Sequence, residues 1–138
     1  MRILRFAAVC CLLSMFAVLP AEVTGKCGVP AVGAAYKESK AVFVGEVTSV
    51  ASDGDVKTFT FKVEKYWKGA AGETIEVSVQ ETMRYQAWFE VGEKYLVFAR
   101  GDKGHEKLWE FRCSRSARLA DASEDIKKLG RAKKSVRK

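Results

Sequence analysis

The stretch Ala41–Val50, AVFVGEVTSV, limits the fold more than any other part of the chain. It is rich in β-branched and aromatic residues, which favour a pleated strand. Val42, Val44, Glu46, Thr48 and Val50 share one face; Phe43, Gly45, Val47 and Ser49 share the other. Both faces start apolar, so the strand is expected to be covered on both sides there. A glycine inside such a run marks a bend or a close backbone approach. A long strand bent in its middle can serve two halves of a sheet, which is how a small antiparallel sheet rolls into a barrel.

The neighbouring segments supply the other staves. Gly28–Ser39 begins with turn formers and continues as a weak helix or coil. Ser52-Asp53-Gly54-Asp55 is a turn, built from residues that bond their own backbone or tolerate positive φ. From Val56 the chain alternates again, with Phe59, Phe61 and Val63 in phase, as far as Tyr66-Trp67-Lys68-Gly69. Thr74–Thr82 reads as a third strand, Ile75, Val77 and Val79 inward and Thr74, Glu76, Ser78 and Gln80 outward, because a period of two is the signature of a half-buried strand. Met83–Phe89, MRYQAWF, is an aperiodic connection. Lys94–Arg100 carries the buried strand YLVFA. Lys107–Cys113 is the fifth strand, with Trp109, Phe111 and Cys113 on one face and Leu108, Glu110 and Arg112 on the other. Ser116 is placed to cap a helix whose inner face is Leu119, Ala122, Ile126 and Leu129, and Gly130 can end it, since glycine adopts the left-handed cap conformation. The fold class is therefore all-β with a short C-terminal helix. Five strands fall short of the about seven of an immunoglobulin sandwich and fit a five-stranded Greek-key barrel of OB type.

Arg2, Arg5, the apolar run Phe6–Leu19 and Pro20-Ala21 give residues 1–25 the layout of a secretory signal peptide, cleaved after Ala21 or Gly25. The run is shorter than the about 20 residues a membrane span needs. Residues 26–130 form the domain and residues 131–138 a basic, disordered tail, in a protein expected to be secreted or periplasmic. Of the four cysteines, Cys10 and Cys11 lie in the discarded run. Cys27 and Cys113 remain, and an even pair in an exported chain points to a disulfide. Two thiols and the single histidine, His105 in a turn, do not make a four-ligand zinc site, so neither a metal nor a cofactor is expected.

The net charge of +7 comes from Lys127, Lys128, Arg131, Lys133, Lys134, Arg137 and Lys138 at the C-terminus. Within the tail, Arg131, Lys133, Lys134, Arg137 and Lys138 are candidates for weak contact with an anionic surface. Nucleic acid is not an expected partner, because the strands lack interleaved basic and aromatic residues on one face. Nor is an enzyme expected: no nucleophile, base and orienting acid can be assembled around one histidine. The pairs Asp53 with Asp55 and Glu90 with Glu93 read as solvated turn residues. Arg112, Arg115 and Arg118 are expected to pair with Glu110, Asp121 or a helix end.

Taken in order, an N-terminal Cys27, then AVFVGEV, FKVEKYWKG, FEVGEKYLVFA and CSRS before a short helix, the chain resembles the bacterial relatives of the tissue inhibitors of metalloproteinases. That resemblance implies a netrin-like OB-type barrel. It also implies a protein-binding module whose partner is an extracellular zinc metalloprotease or another envelope protein. The implied contact ridge is Lys26, Cys27, Gly28, Val29 and Pro30 beside the connection Arg84–Trp88, above all Tyr85 and Trp88. In the animal inhibitors the chain starts Cys-x-Cys, and the first cysteine's amine and carbonyl chelate the protease's zinc. Here Cys27 corresponds to the second of those cysteines, with Cys113 its partner. Gly25 stands where the first would be, and Tyr85–Trp88 contains no cysteine to pair with one. The other reading is an envelope- or matrix-binding structural module with a cationic tail and no inhibitory activity.

Overall fold

The computed structural model describes residues 28–70, 72–102 and 105–136. The signal-peptide reading, Lys26, Cys27, Arg137 and Lys138 lie outside them. Helix α1 (Val32–Glu38) leads into β1 (Ala41–Asp53), followed by β2 (Val56–Lys68), β3 (Thr74–Gln80), β4 (Lys94–Asp102) and β5 (His105–Glu110). A short β6 (Ala117–Arg118), a 3-10 turn at Leu119–Asp121, α2 (Ser123–Leu129) and β7 (Lys133–Lys134) complete the order.

Strand β1 is the shared stave. It pairs with β2 from Val42 to Asp53 and with β4 from Ala41 to Glu46. Its ladder with β2 shifts register between Val42 and Phe43, Val44 and Gly45, and Val47 and Ser49. Such bulges bend a strand and increase its twist. A Cβ at Gly45 would lie 3.0 Å from the Lys62 carbonyl oxygen and 3.2 Å from the Phe43 ring, so the close approach expected there is present. The strands run β1-β2-β3-β5-β4 and β4 returns to β1, so the sheet is a closed, uneven ring. Among the described residues only β3 and β5 pair in parallel, Ser78 opposite Trp109 and Val79 opposite Glu110. The molecule is thus an all-β, barrel-like fold with short helices.

Closing the ring gives β1 and β4 two buried faces. Phe43, Val47, Phe61, Val63, Val77, Val79, Tyr95 and Val97 fill the inside. There Phe61 meets Phe43 edge-on at 5.4 Å and Phe89 at 5.2 Å, and Phe89 meets Tyr95 at 4.9 Å. Each such pair contributes about 0.5–1.5 kcal/mol beyond its buried area. On the outside, Val42, Val44, Leu96 and Phe98 are covered by Val32 and Ala35 of α1, by Ala122, and by Leu119, Ile126 and Leu129. The expected helical face is the one that packs, and Gly130 ends α2 at φ +77°.

Four local expectations need correction. Ser78, expected outward, is buried, and its hydroxyl shares a 2.9 Å hydrogen bond with Thr58, which satisfies it there. Strand β5 stops at Glu110 rather than Cys113, because Phe111–Ser114 closes a turn through the Ser114 N–H to the Phe111 carbonyl at 3.1 Å. Ser116 does not cap a helix; its hydroxyl accepts the Phe98 N–H at 2.9 Å, and Ala122 precedes α2. Residues 131–138 were expected to be a free tail, yet Lys133 and Lys134 pair with Tyr66 and Lys65 of β2.

Among the described residues no helix is long and apolar enough to cross a membrane.

Candidate functional site

The aromatic connection after β3 is a fastened turn. Thr82 and Tyr85 exchange both backbone hydrogen bonds, at 2.8 and 3.2 Å, which leaves Met83 and Arg84 as a two-residue tip. The Thr82 hydroxyl oxygen accepts the Arg84 N–H at 3.3 Å. Met83 is fully exposed. The turn therefore presents a large apolar side chain from a fixed backbone, so the chain itself has little ordering left to lose on binding.

Two carboxylates hold the connection from opposite sides. Glu81 accepts the Ala87 N–H at 2.8 Å and pairs with Lys57 at 3.2 Å. The backbone donor at Ala87 holds its carboxyl below the ordinary carboxylate range. Glu110 is only 2% exposed. It accepts hydrogen bonds from the Tyr85 and Ser114 hydroxyls, and the Trp88 indole lies against it. Burial pushes its carboxyl up, and those donors offset only part of the shift. The Tyr85 phenol is also raised, first by burial and then by Glu110, so it stays protonated and keeps donating. A buried carboxylate without a cation is costly, and three polar partners on one group hold it in place. Beside it a shallow cleft of about 330 Å³ is lined by Thr82, Tyr85, Trp109, Glu110, Phe111 and Arg112. Phe111 is 45% exposed at its edge.

The segment before α1 is tied to the same stretch of chain. Arg115 donates from Nη1 to the Pro30 carbonyl at 2.8 Å, while Nε and Nη2 form a fork on Asp125 of α2, both at 2.8 Å. A bidentate guanidinium–carboxylate pair fixes direction as well as distance. Residues 110–116 therefore hold Tyr85 at one end and Pro30 at the other. Between them Cys113 sits at φ +69°, the only non-glycine residue with positive φ among those described. It occupies the turn position where glycine is usual, at a cost of about 1–3 kcal/mol. Cys113 is not without a partner. Cys27 lies outside the described residues.

Of the expected ridge, Gly28 and Val29 are exposed, Pro30 and Tyr85 are half-buried, and Lys26 and Cys27 lie outside the described residues. Trp88 is half-buried too. Its ring packs on Phe89 at 4.6 Å and on Tyr95 at 5.2 Å, which supports the turn from the core side. Met83, Glu110 and Arg115 were missed as ridge residues. A methionine opening an aperiodic run between two strands was the one available signal for Met83. Of the arginines, Arg115 takes Asp125 in the first turn of α2, a helix end as expected, whereas Arg118 reaches Glu90 at 3.0 Å and Glu93 at 3.8 Å.

The tail residues fall elsewhere. Arg131 lines a groove of about 510 Å³ with Tyr36, Trp67 and Lys128, and Lys133 and Lys134 form β7 nearby. Among the described residues no three His, Cys, Asp or Glu side chains are grouped to hold a metal. A scan against protein-family models matched none, and no curated protein sequence matched the chain.

Proposed function

We propose that the chain is an exported protein-binding module with a netrin-like, five-stranded Greek-key barrel of OB type, which docks a partner through the Tyr85 turn and the segment before α1. The strand order β1-β2-β3-β5-β4-β1, with β3 and β5 parallel, supports the barrel type. The observation that carries the docking reading is the fully exposed Met83 on a turn fastened by Glu81 and Glu110. An exposed methionine on a fixed backbone suits an anchor, because methionine is enriched at interfaces and a few buried residues there carry most of the binding energy.

On this reading a Cys27–Cys113 disulfide fastens the start of the mature chain to the turn after β5. Closing so long a loop would stabilise the fold by about 4–5 kcal/mol in the chain-entropy account. The partner is an extracellular zinc metalloprotease, inhibited through Lys26–Pro30 and the adjoining turn, or another envelope protein. The test is residual activity of a panel of secreted zinc proteases with excess purified mature protein. Inhibition should weaken at least about tenfold in Met83→Ser, since burying an unbranched apolar side chain contributes about 1.5–3 kcal/mol. It should also weaken in Arg115→Ala, which frees Pro30. No inhibition across the panel removes the inhibitory role.

A second reading, an envelope- or matrix-binding structural module, is favoured by a separate observation: Lys133 and Lys134 of the basic C-terminal run pair with β2.

A further inference from the structure

We propose that the groove between α1, α2 and the end of β2 binds an acidic polysaccharide, with Tyr36 and Trp67 as its floor and Lys128 and Arg131 as its cationic rim; this rests on the second reading above. The groove has a volume of about 510 Å³, and among the described residues no acidic one lines it. Its aromatic floor is built rather than incidental. The Trp67 indole donates to the Gly130 carbonyl at 3.0 Å, which ties the end of α2 to β2. The Tyr36 hydroxyl donates to the Trp67 carbonyl at 3.3 Å, so the two rings are positioned together. The Lys65 ammonium stands over the Trp67 ring at 5.8 Å and that of Lys68 over Tyr36 at 5.1 Å.

The surrounding cations are not drawn into ion pairs. Among the described residues, none of Lys65, Lys128, Arg131, Lys133 and Lys134 takes part in an ion pair. Lys65 also faces Lys134 directly across the β2–β7 ladder. Like charges opposite each other on a ladder are unfavourable, so an anion laid along this edge relieves a repulsion that the fold itself creates. Lys134 also lines a separate cleft with Glu46, Glu64 and Glu73, so the purely cationic lining belongs to the α1–α2 groove.

The shape selects the class of anion. A bilayer is a plane, and docking to it favours a projecting cluster of large apolar side chains. Here the rings line a concavity. A sugar acid offers a flat C–H face to stack on a ring and a carboxylate or sulfate on its edge for Lys128 and Arg131. Pockets that hold small ligands combine such an apolar floor with a few placed polar groups.

The test uses the full mature chain with alginate as probe, against neutral dextran and phosphatidylglycerol vesicles. Alginate should be retained, dextran not, and retention should fall at least about tenfold as added salt shortens the screening length. Lys128→Gln with Arg131→Gln should weaken alginate binding at least about tenfold, since charge-assisted bonds are the strong ones. Trp67→Phe should remove the alginate-induced change in tryptophan fluorescence. Tyr36→Ser, at an exposed position, should weaken binding about threefold or more as stacking area is lost. Unchanged binding in the Lys128/Arg131 double variant overturns the proposal. So does retention on vesicles but not on alginate, which would leave the second reading standing. Retention on neither surface removes both.

Discussion

At the Tyr85 rim the charged groups are turned inward and used up. Glu110 is buried under two hydroxyls and an indole, Glu81 takes a backbone N–H, and Arg115 spends three nitrogens on Asp125 and Pro30. On the α1–α2–β7 face the charges point the other way. Lys128, Arg131 and Lys133 lie on the surface outside any described ion pair, and Lys65 opposes Lys134. The rim invests polar bonds in fixing its own shape, which suits recognition by fit. The face leaves its charges unspent, which suits recognition by charge. Removing a charge should therefore destabilise the fold at the rim and barely affect it on the face.

The largest expected effect follows from the buried carboxylate. Glu110→Ala leaves the Tyr85 and Ser114 hydroxyls without their acceptor and opens a void, and should lower stability by about 3 kcal/mol. Lys128→Gln with Arg131→Gln should change it by less than about 0.5 kcal/mol, as for surface substitutions generally. Urea denaturation of both variants checks the contrast. If the two losses are equal, the division between an inward-turned rim and an outward-turned face fails.

The face was the more legible of the two from sequence, although its anchoring was not. A run of lysines and arginines announces itself by composition, but nothing in Arg131–Lys138 marks two of its residues as a strand. Their pairing with Lys65 and Tyr66 depends on where α2 ends in space. The barrel was legible where local periodicity carried it. Phe59, Phe61 and Val63 alternate inward, Gly45 sits at the close approach, and Leu119, Ala122, Ile126 and Leu129 make one packed face. The parallel pairing of β3 with β5 joins residues about thirty apart, and no local pattern records it. Glu110 was hidden for a related reason. It shares a face with Leu108, but a single acid at that position reads as a strand edge unless Tyr85, twenty-five residues earlier, is known to lie above it.

A second, smaller effect separates burial from hydrogen bonding at the rim. Glu110 has its carboxyl raised, chiefly by burial. The fold then favours the protonated form and binds more protons than the unfolded chain between the two pKa values. Its contribution to stability is full below the ordinary carboxylate value of about 4.3 and is lost as pH rises through the raised one. Glu110→Gln is neutral throughout and should remove that slope. The difference in melting temperature between wild type and variant, followed from acid to neutral pH, should move in the variant's favour as pH rises. A constant difference would mean that the carboxyl titrates alike in both states.

The smallest effect probes the face. Lys134→Glu replaces a like-charge pair with an opposite-charge pair directly across from Lys65. Cross-strand charge pairs are worth a few tenths of a kcal/mol, so stability should rise by about 0.5 kcal/mol. The gain should shrink with added salt, because an exposed pair is screened. The same substitution should weaken alginate retention, since it places an acid beside the cationic rim. Gain and loss together would mean that the face gives up stability to keep its charge. A variant that is less stable at low salt would instead place Lys134 nearer to Glu46, Glu64 and Glu73, with which it shares a cleft, than to Lys65. The repulsion across the ladder would then be no part of the design.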